Sequence, residues 1–477
     1  MQKNIMKDKF YITTTLPYVN AQPHAGFALE IVEADVLARF KRIELGKENV
    51  FFNTGTDEHG LKLFRKAEEL GMDVQDYVDQ QAENFKKLKD VLNIDWNNFI
   101  RTTNEHHIKA AQEFWRRCEA NGDIYKKSYK TKYCVGCESE KTDSELVEGK
   151  CCDHPSMEIE IIEEENYFFR FSKYQQPLLE LYEKNAEFVL PKNRLKEIKN
   201  FVANGLDDFS ISRLKTKMPW GIEVPGDEDQ VIYVWFDALV NYITAAGWPD
   251  DMEKFNSLWP AVQIAGKDNL RFQAAMWQSM LMSAGIQPSK QIFINGFITV
   301  DGQKMSKSIG NVISPAEMVE KFGVDGTRYL ILNGGNFGED MDITWERMTE
   351  KFNADLANGL GNLVSRFVKL SEKANLDKIM TENHGLYDDD IMEKMEYSRA
   401  LNNIWNKIRE LNKYIEDNKP WELAKNNEKK FNEVMGSLNM WISSIAEALI
   451  PFMPETSEKI KTALETKQAQ PLFQRIK

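Results

Sequence analysis

Four metal-seeking side chains stand in two pairs in the chain: Cys134-x2-Cys137 and, after thirteen intervening residues, Cys151-x2-His154. Each pair has the spacing of a ligand knuckle, and two such pairs close a zinc tetrahedron with no position left open for a substrate. The spacing therefore predicts a structural zinc rather than a catalytic one. Unliganded buried cysteines are the alternative. Cys152, one residue closer to His154, is a poorer ligand than Cys151 on spacing alone. Four of the five cysteines fall within nineteen residues, whereas a disulfide framework would spread them through a small secreted chain. His106-His107 and His384 have no partners at metal spacing and read as surface residues.

Two further stretches carry the chemistry of phosphate recognition. Asp301-Gly-Gln-Lys304-Met-Ser306-Lys307-Ser308 places two lysines and two hydroxyls in one loop, suited to holding triphosphate oxygens. Pro17-Tyr-Val-Asn20-Ala-Gln-Pro-His24-Ala-Gly26-Phe27 leads from a strand-like run into a helix-like one. Amides at such a helix terminus attract anions, His24 can donate to a phosphate, and Gly26 lacks the Cβ that would keep a flat base away. A solvated basic turn and a capping histidine are the bland readings of these two stretches.

The elements that must position these groups alternate along the first half of the chain. Residues 10–16 are β-branched and aromatic, and Pro17 stops them. From His24 the apolar positions Ala28, Val32, Val36 and Phe40 recur every four residues, with Gly46 where a helix C′ glycine belongs. Residues 49–55 read as a second strand, followed by a helix through Leu61, Phe64 and Leu70; another helix spans about 104–122. Strand-like and helix-like runs resume at 230–237, at 261–266 with 268–285, and at 291–300. This alternation predicts an α/β fold with a doubly wound parallel sheet, Rossmann-like, binding ligands outside the carboxyl ends of its strands. Residues 118–225 break the pattern with the cysteine cluster, an acidic run at 158–165 and short irregular segments, and read as an insertion. From about Glu350 the chain is rich in Asn, Lys and Glu with helical periodicity, which predicts a C-terminal α-helical bundle.

At roughly 150 residues per domain, 477 residues suggest about three domains. A hydrophobic fraction of 42% and a charged fraction of 28% exclude wholesale disorder and a collagen-like architecture. A net charge of −13 argues against a general nucleic-acid coat, though a local basic surface remains open. No run reaches the ~18 apolar residues of a membrane helix; the best, 231–246, is broken by Asp237 and Asn241. The first ten residues hold no apolar stretch, so no signal peptide is expected. A soluble, cytoplasmic protein with no membrane partner is the expectation.

His24-Ala25-Gly26-Phe27 and Lys304-Met305-Ser306-Lys307-Ser308, about 280 residues apart, resemble the paired HIGH and KMSKS signatures of class I aminoacyl-tRNA synthetases. The second matches at every position; the first departs at two, with Phe27 where the family has a histidine facing the nucleotide. Thr54-Gly-Thr-Asp57-Glu-His59-Gly60 and Tyr233-Val-Trp235-Phe236-Asp237-Ala238-Leu-Val-Asn-Tyr242 resemble the segments lining the amino-acid pocket of the methionyl family. Gly266-Lys267-Asp268-Asn269-Leu-Arg-Phe-Gln273 resembles its GKD segment, with Gln273 where a histidine usually stands. Gln273 still offers a hydrogen bond, so altered selectivity rather than lost activity is expected. A thioether is soft and polarizable and suits aromatic walls, which Tyr18, Trp235, Tyr242 and Trp277 would supply, while Asp57 would pair with the substrate ammonium. Core packing is the alternative for each aromatic taken singly.

The resemblance runs from Tyr11 to about Pro454. It implies activation of methionine by ATP, with Mg²⁺, to methionyl-adenylate, then transfer to the 3′ end of tRNA(Met) in translation. It assigns catalysis to His24, Lys304 and Lys307, and ATP binding to these with Asn20 and Gly26. The methionine-binding set is Leu16, Tyr18, Asp57, Trp235, Ala238, Tyr242, Gln273 and Trp277. Asn362 and Arg366, four apart on one helix face, and Trp421, just after Pro420, would read the anticodon. The implied domains are catalytic halves at 1–117 and 226–300, a connective insertion with one structural Zn²⁺ at 118–225, a KMSKS loop and stem-contact region at 301–349, and an anticodon-binding bundle at 350–477. The large editing insertions of the leucyl, isoleucyl and valyl enzymes would not fit, and nothing remains for a dimerising C-terminal module, so a monomer is expected. Two other readings stay open. A cysteinyl synthetase would keep its zinc in the amino-acid pocket rather than in a detached knuckle. A non-catalytic zinc-ribbon RNA-binding factor would have no use for the cationic loop.

Overall fold

The computed structural model describes residues 9–141, 145–305, 310–376, 385–468 and 470–477. They form two compact units, Met1–Pro23 with Glu48–Lys87 and Trp96–Ile294, and His24–Lys47 with Leu88–Asp95 and Asn295–Lys477.

The first unit is built on a six-stranded sheet whose strands, in chain order, are β1 (Phe10–Thr14), β2 (Val50–Thr56), β3 (Asn98–Arg101), β4 (Val189–Leu190), β5 (Val262–Gly266) and β6 (Gln291–Asn295). Their spatial order is β3-β2-β1-β5-β6-β4. β1 runs parallel to β2 and β5, β2 to β3, and β6 to β4. Every residue of β1 is buried, as expected of a strand covered on both faces. The order reverses between β1 and β5, so the carboxyl ends of these strands form the crevice in which such sheets hold ligands. The helix Glu105–Ala120 turns Ala110, Phe114, Trp115 and Cys118 into a core shared with Phe236, Trp248 and Trp277.

Several expectations about elements need correction. The run 291–300 is not one strand. A Cβ on Gly296 would lie 2.0 Å from the Glu339 carbonyl oxygen, so the chain bends there and Ile298–Val300 joins Gln303–Lys304 and Met341–Asp342 in a separate sheet. The run 230–237 ends as a strand at Ile232, within a small antiparallel sheet, and is helical from Val234. The helix Val74–Lys86 and strands β3 and β4 were not signalled by the sequence. Most of the acidic run forms a strand that the sequence did not signal: Glu160–Phe169 pairs antiparallel with Ile124–Cys134, setting Glu163 opposite Lys130. Cross-strand charge pairing of this kind replaces the apolar alternation that normally marks a strand. His107 is not a surface residue; it has no exposed area and bonds to Asp237. His384 lies outside the described residues.

In the second unit the helix Ala25–Leu45 starts at His24 and ends at Gly46, at the expected positions. Helices Tyr397–Asn418, Glu428–Leu449 and Pro454–Thr466 form the expected bundle. Among the described residues no helix is long and apolar enough to cross a membrane.

Candidate amino-acid, nucleotide and metal sites

The candidate amino-acid residues all belong to the first unit. Beyond β1 the backbones of Tyr18 and Asp57 pair in a parallel bridge, with the Asp57 amide donating to Pro17 O at 3.0 Å and the Val19 amide to Asp57 O at 3.2 Å. Leu16 and Asn20, on the same segment, are half-buried. Asp57 is buried, and its Oδ1 has no hydrogen-bond partner among the described residues. Burial, then the neighbouring Asp237 charge, hold its carboxyl well above the usual range. Two residues on, His59 Nδ1 lies 2.7 Å from Asp237 Oδ2, while His107 Nε2 lies 2.8 Å from Asp237 Oδ1. Burial alone would raise Asp237; the two imidazoles outweigh it and leave this carboxyl below its ordinary value. Asp237 thereby fastens the segment containing Trp235, Ala238 and Tyr242 to the segment containing Asp57.

Trp235 is half-buried and stacks on Phe272 at 3.8 Å with rings 6° from parallel. Gln273, the next residue, is buried and donates through Nε2 to the Tyr242 hydroxyl at 2.6 Å. Trp277 has no exposed surface and its ring lies 5.8 Å from that of Tyr242. The structure thus joins Tyr242, Gln273 and Trp277 in one contact group and Tyr18 with Asp57 in another. An unsatisfied buried carboxyl oxygen beside aromatic surface is suited to an ammonium that carries an apolar tail.

Of the nucleotide candidates, Asn20 belongs to the first unit, whereas His24, Gly26 and Lys304 belong to the second. His24 caps its helix, Nδ1 accepting from the Gly26 amide at 3.1 Å. A neutral ring accepting at Nδ1 carries its proton on Nε2, so the capping role and a donor role toward phosphate coexist. A Cβ on Gly26 would lie 3.0 Å from that imidazole. Lys304 is exposed at the end of a hairpin whose turn residues Asp301 and Gly302 both have positive φ, 52° and 71°. Lys307, with Ser306 and Ser308, lies outside the described residues.

The metal candidates converge. One donor atom each from Cys134, Cys137, Cys151 and His154 falls within 4.8 Å of all the others. Cys137 Sγ is 3.4 Å from Cys151 Sγ and 3.2 Å from His154 Nδ1. Donors about 2.3 Å from a tetrahedral zinc lie somewhat under 4 Å apart, so the set fits that ion. The knuckle is shaped for the imidazole: a Cβ on Gly136 would meet the His154 ring at 2.4 Å. Cys152 is exposed and outside the cluster.

On the helical bundle, the Arg366 guanidinium sits 5.7 Å from the centre of the Trp421 ring. Asn362 is exposed at the start of the same helix as Arg366, and Trp421 follows Pro420 in the first turn of another. Sequence reasoning missed His59, His107 and Glu138 as organisers of the amino-acid residues; the contacts that give them this role reach residues distant in the chain, which leave no local signal.

The first unit has a parallel sheet that reverses order at a crevice, and the second has a capped His-x-Gly helix start and a lysine hairpin; each is a feature of the class I synthetases. Residues 10–158 and 152–368 match the family described as tRNA synthetases class I (M), and residues 369–474 match the anticodon binding domain of methionyl tRNA ligase. The chain belongs to the methionyl family of class I tRNA synthetases. It is 40% identical to the methionine–tRNA ligase of Thermotoga maritima over 95% of this chain and 74% of that one. With the Rickettsia typhi methionine–tRNA ligase the identity is 39% over 99% and 96%. The Mycobacterium tuberculosis methionyl-tRNA synthetase solved with methionyl-adenylate superposes with a TM-score of 0.88, at 37% identity over 95% of this chain and 93% of that one.

Proposed function

We propose that this chain is a methionine–tRNA ligase, joining methionine to ATP as methionyl-adenylate with release of pyrophosphate and then transferring it to the 3′-terminal adenosine of tRNA(Met). The observation that carries this reading is the match of catalytic and anticodon-domain families across residues 10–474. No side-chain nucleophile is required: the methionine carboxylate attacks the α-phosphorus, and the protein contributes position and charge. The Asp57 carboxyl takes the ammonium, and Leu16, Tyr18, Trp235, Ala238, Tyr242, Gln273 and Trp277 form and support the pocket for the thioether. His24, through Nε2–H, and Lys304 with Lys307 hold the triphosphate as charge builds on the departing pyrophosphate, while Asn20 and Gly26 accommodate the nucleoside. Mg²⁺, carried with the nucleotide, supplies charge neutralisation on that leaving group. Cys134, Cys137, Cys151 and His154 would hold one zinc, whose binding free energy is also folding free energy of the insertion. Asn362, Arg366 and Trp421 read the anticodon, and the place of action is the cytoplasm.

Pyrophosphate exchange with each amino acid in turn tests the reading. Exchange driven by methionine is expected; exchange driven by cysteine alone would move the chain to a sister family. Failure to bind ATP at all would favour a non-catalytic RNA-binding role.

A further inference from the structure

The metal knuckle is not detached from the amino-acid residues, and one side chain makes the connection. Glu138 follows the second cysteine of Cys134-x2-Cys137 and is only 5% exposed. Its φ of 50° is left-handed, a conformation that a residue with a Cβ adopts when the surrounding structure dictates it. Here it turns the chain out of Ile124–Cys134 and into Ser139–Lys141.

The carboxyl group so presented is fully engaged. Oε1 accepts from the Lys62 amide at 2.7 Å and from the Tyr18 hydroxyl at 3.2 Å, and Oε2 accepts from the Tyr133 hydroxyl at 2.6 Å. The Glu138 carbonyl oxygen accepts from the Tyr233 hydroxyl. Gly60 makes room for the arrangement: at φ 118°, a Cβ there would lie 2.7 Å from Tyr18 Oη and 3.3 Å from Glu138 Oε1. Tyr18 belongs to the segment after β1, Lys62 to the helix that follows Asp57, and Tyr233 to the segment that continues into Trp235 and Asp237. These are the segments the candidate pocket is made of. A buried carboxyl group is a costly way to fill space, and packing alone would be served by an apolar residue. Its donors come from separate elements and fix their relative positions, which packing alone would not do.

We propose that Glu138 is a positioning residue of the amino-acid site, holding Tyr18 and the start of the Trp235 segment in place and making the metal knuckle a strut of the pocket. This rests on the reading of that pocket as the methionine site. It acts through Tyr18 and Tyr233 rather than on the reacting atoms, so its effect falls on amino-acid affinity and not on the chemical step.

The test uses the full chain in three forms, wild type, Glu138→Ala and Glu138→Gln, with methionine binding by calorimetry, methionine-dependent pyrophosphate exchange and zinc content measured on each. Glu138→Ala should raise Kd and KM for methionine roughly tenfold, the loss expected for a hydrogen-bonded carboxyl, with kcat and KM for ATP little changed and zinc retained. Glu138→Gln, which keeps the shape and one acceptor, should fall between, and it decides the matter if the alanine variant does not fold. In a Tyr18→Phe background the alanine substitution should cost less than it does alone, because part of what it removes is already gone. Unchanged methionine affinity in both variants would overturn the proposal. So would a fall in kcat and zinc content at constant KM, which is the signature of fold support alone. A wild-type chain inactive with methionine would instead defeat the functional reading, and the proposal with it.

Discussion

Arg328 and Asp35, neither with any exposed side-chain surface, meet at 2.8 Å in the second unit. The same guanidinium donates to the carbonyls of Phe452 at 2.8 Å, Pro451 at 3.0 Å and Leu92 at 3.0 Å. Asp35 also accepts from Arg39 at 2.7 Å and from the Asp95 amide at 2.8 Å. One buried cation thus ties the helix that begins at His24 to the turn preceding the last helix of the bundle. Burial by itself would push the Asp35 carboxyl up; the Arg328 and Arg39 charges outweigh it and leave the pKa below its ordinary value.

Removing one partner of such a pair leaves the other buried and uncompensated. Arg328→Ala should lower stability by about 3–5 kcal/mol at neutral pH, read from denaturant unfolding. Because the folded-state pKa of Asp35 is depressed, the stability it contributes is present above the ordinary carboxylate range of about 4 and is lost as pH falls through the folded value. The gap between wild type and variant should therefore narrow on acidification below about pH 4. A gap that widened there would show that Asp35 is not the partner that matters.

Asp57 behaves in the opposite sense. Its carboxyl is held above the usual range, so in the ligand-free chain it takes up a proton at a higher pH than an ordinary aspartate does. Pairing with an ammonium requires the ionised form, and methionine affinity should fall as pH drops through that raised value, approaching tenfold per unit. Asp57→Asn should bind weakly and lose this dependence. A wild-type Kd for methionine that stays flat between pH 8 and about 5 would remove Asp57 from the ammonium role.

The parts of this fold legible in the sequence are those written in local periodicity and caps. Phe10–Thr14, Ala25–Leu45 with Gly46, and the metal spacing all declare themselves within a few residues. What stayed hidden depends on partners remote in the chain. Val189–Leu190 is only two residues long and becomes a strand because β6 is there to pair with it. Glu160–Phe169 reads as an acidic run until Lys130 and its neighbours lie opposite. His107 looks like half of a solvent-exposed pair, and only the fold brings it to Asp237, 130 positions away. Glu138 follows a metal ligand and carries no pattern of its own; its donors come from four separate stretches.

The cationic loop is tested by Lys307→Ala. If its ammonium holds the triphosphate, adenylate formation should slow by more than about tenfold with methionine affinity nearly unchanged, the pattern of an interaction used in the transition state. A wild-type exchange rate in the variant would remove Lys307 from the reaction.

Zinc content is a separate measurement. Cys134→Ser should lower the metal bound per chain and weaken the insertion, since a thiolate leaves a closed tetrahedron. Full occupancy in that variant would mean that Cys134 is not a ligand. Cys152→Ser, altering an exposed thiol outside the cluster, should leave the metal in place.

Trp421 is 38% exposed, and Arg366, whose guanidinium lies over its ring, is itself held by Glu416 at 2.8 Å. A ring this open contributes little to the core, so Trp421→Ala should leave stability within about 0.5 kcal/mol of wild type. Single-stranded bases are read by stacking and by hydrogen bonds to their edges, and the indole with Asn362 and Arg366 offers both. Loss of one stacking partner is worth roughly 1–3 kcal/mol, so aminoacylation efficiency should drop about ten- to a hundredfold through KM for tRNA. Adenylate formation consumes no tRNA, and methionine-dependent pyrophosphate exchange should therefore remain at the wild-type rate. Arg366→Ala should weaken tRNA use in the same direction, because it removes both a donor and the cation over the ring. If Trp421→Ala charged tRNA normally, the anticodon assignment of this face would be wrong; if exchange and thermal stability collapsed along with charging, the indole would be serving the fold and not the tRNA.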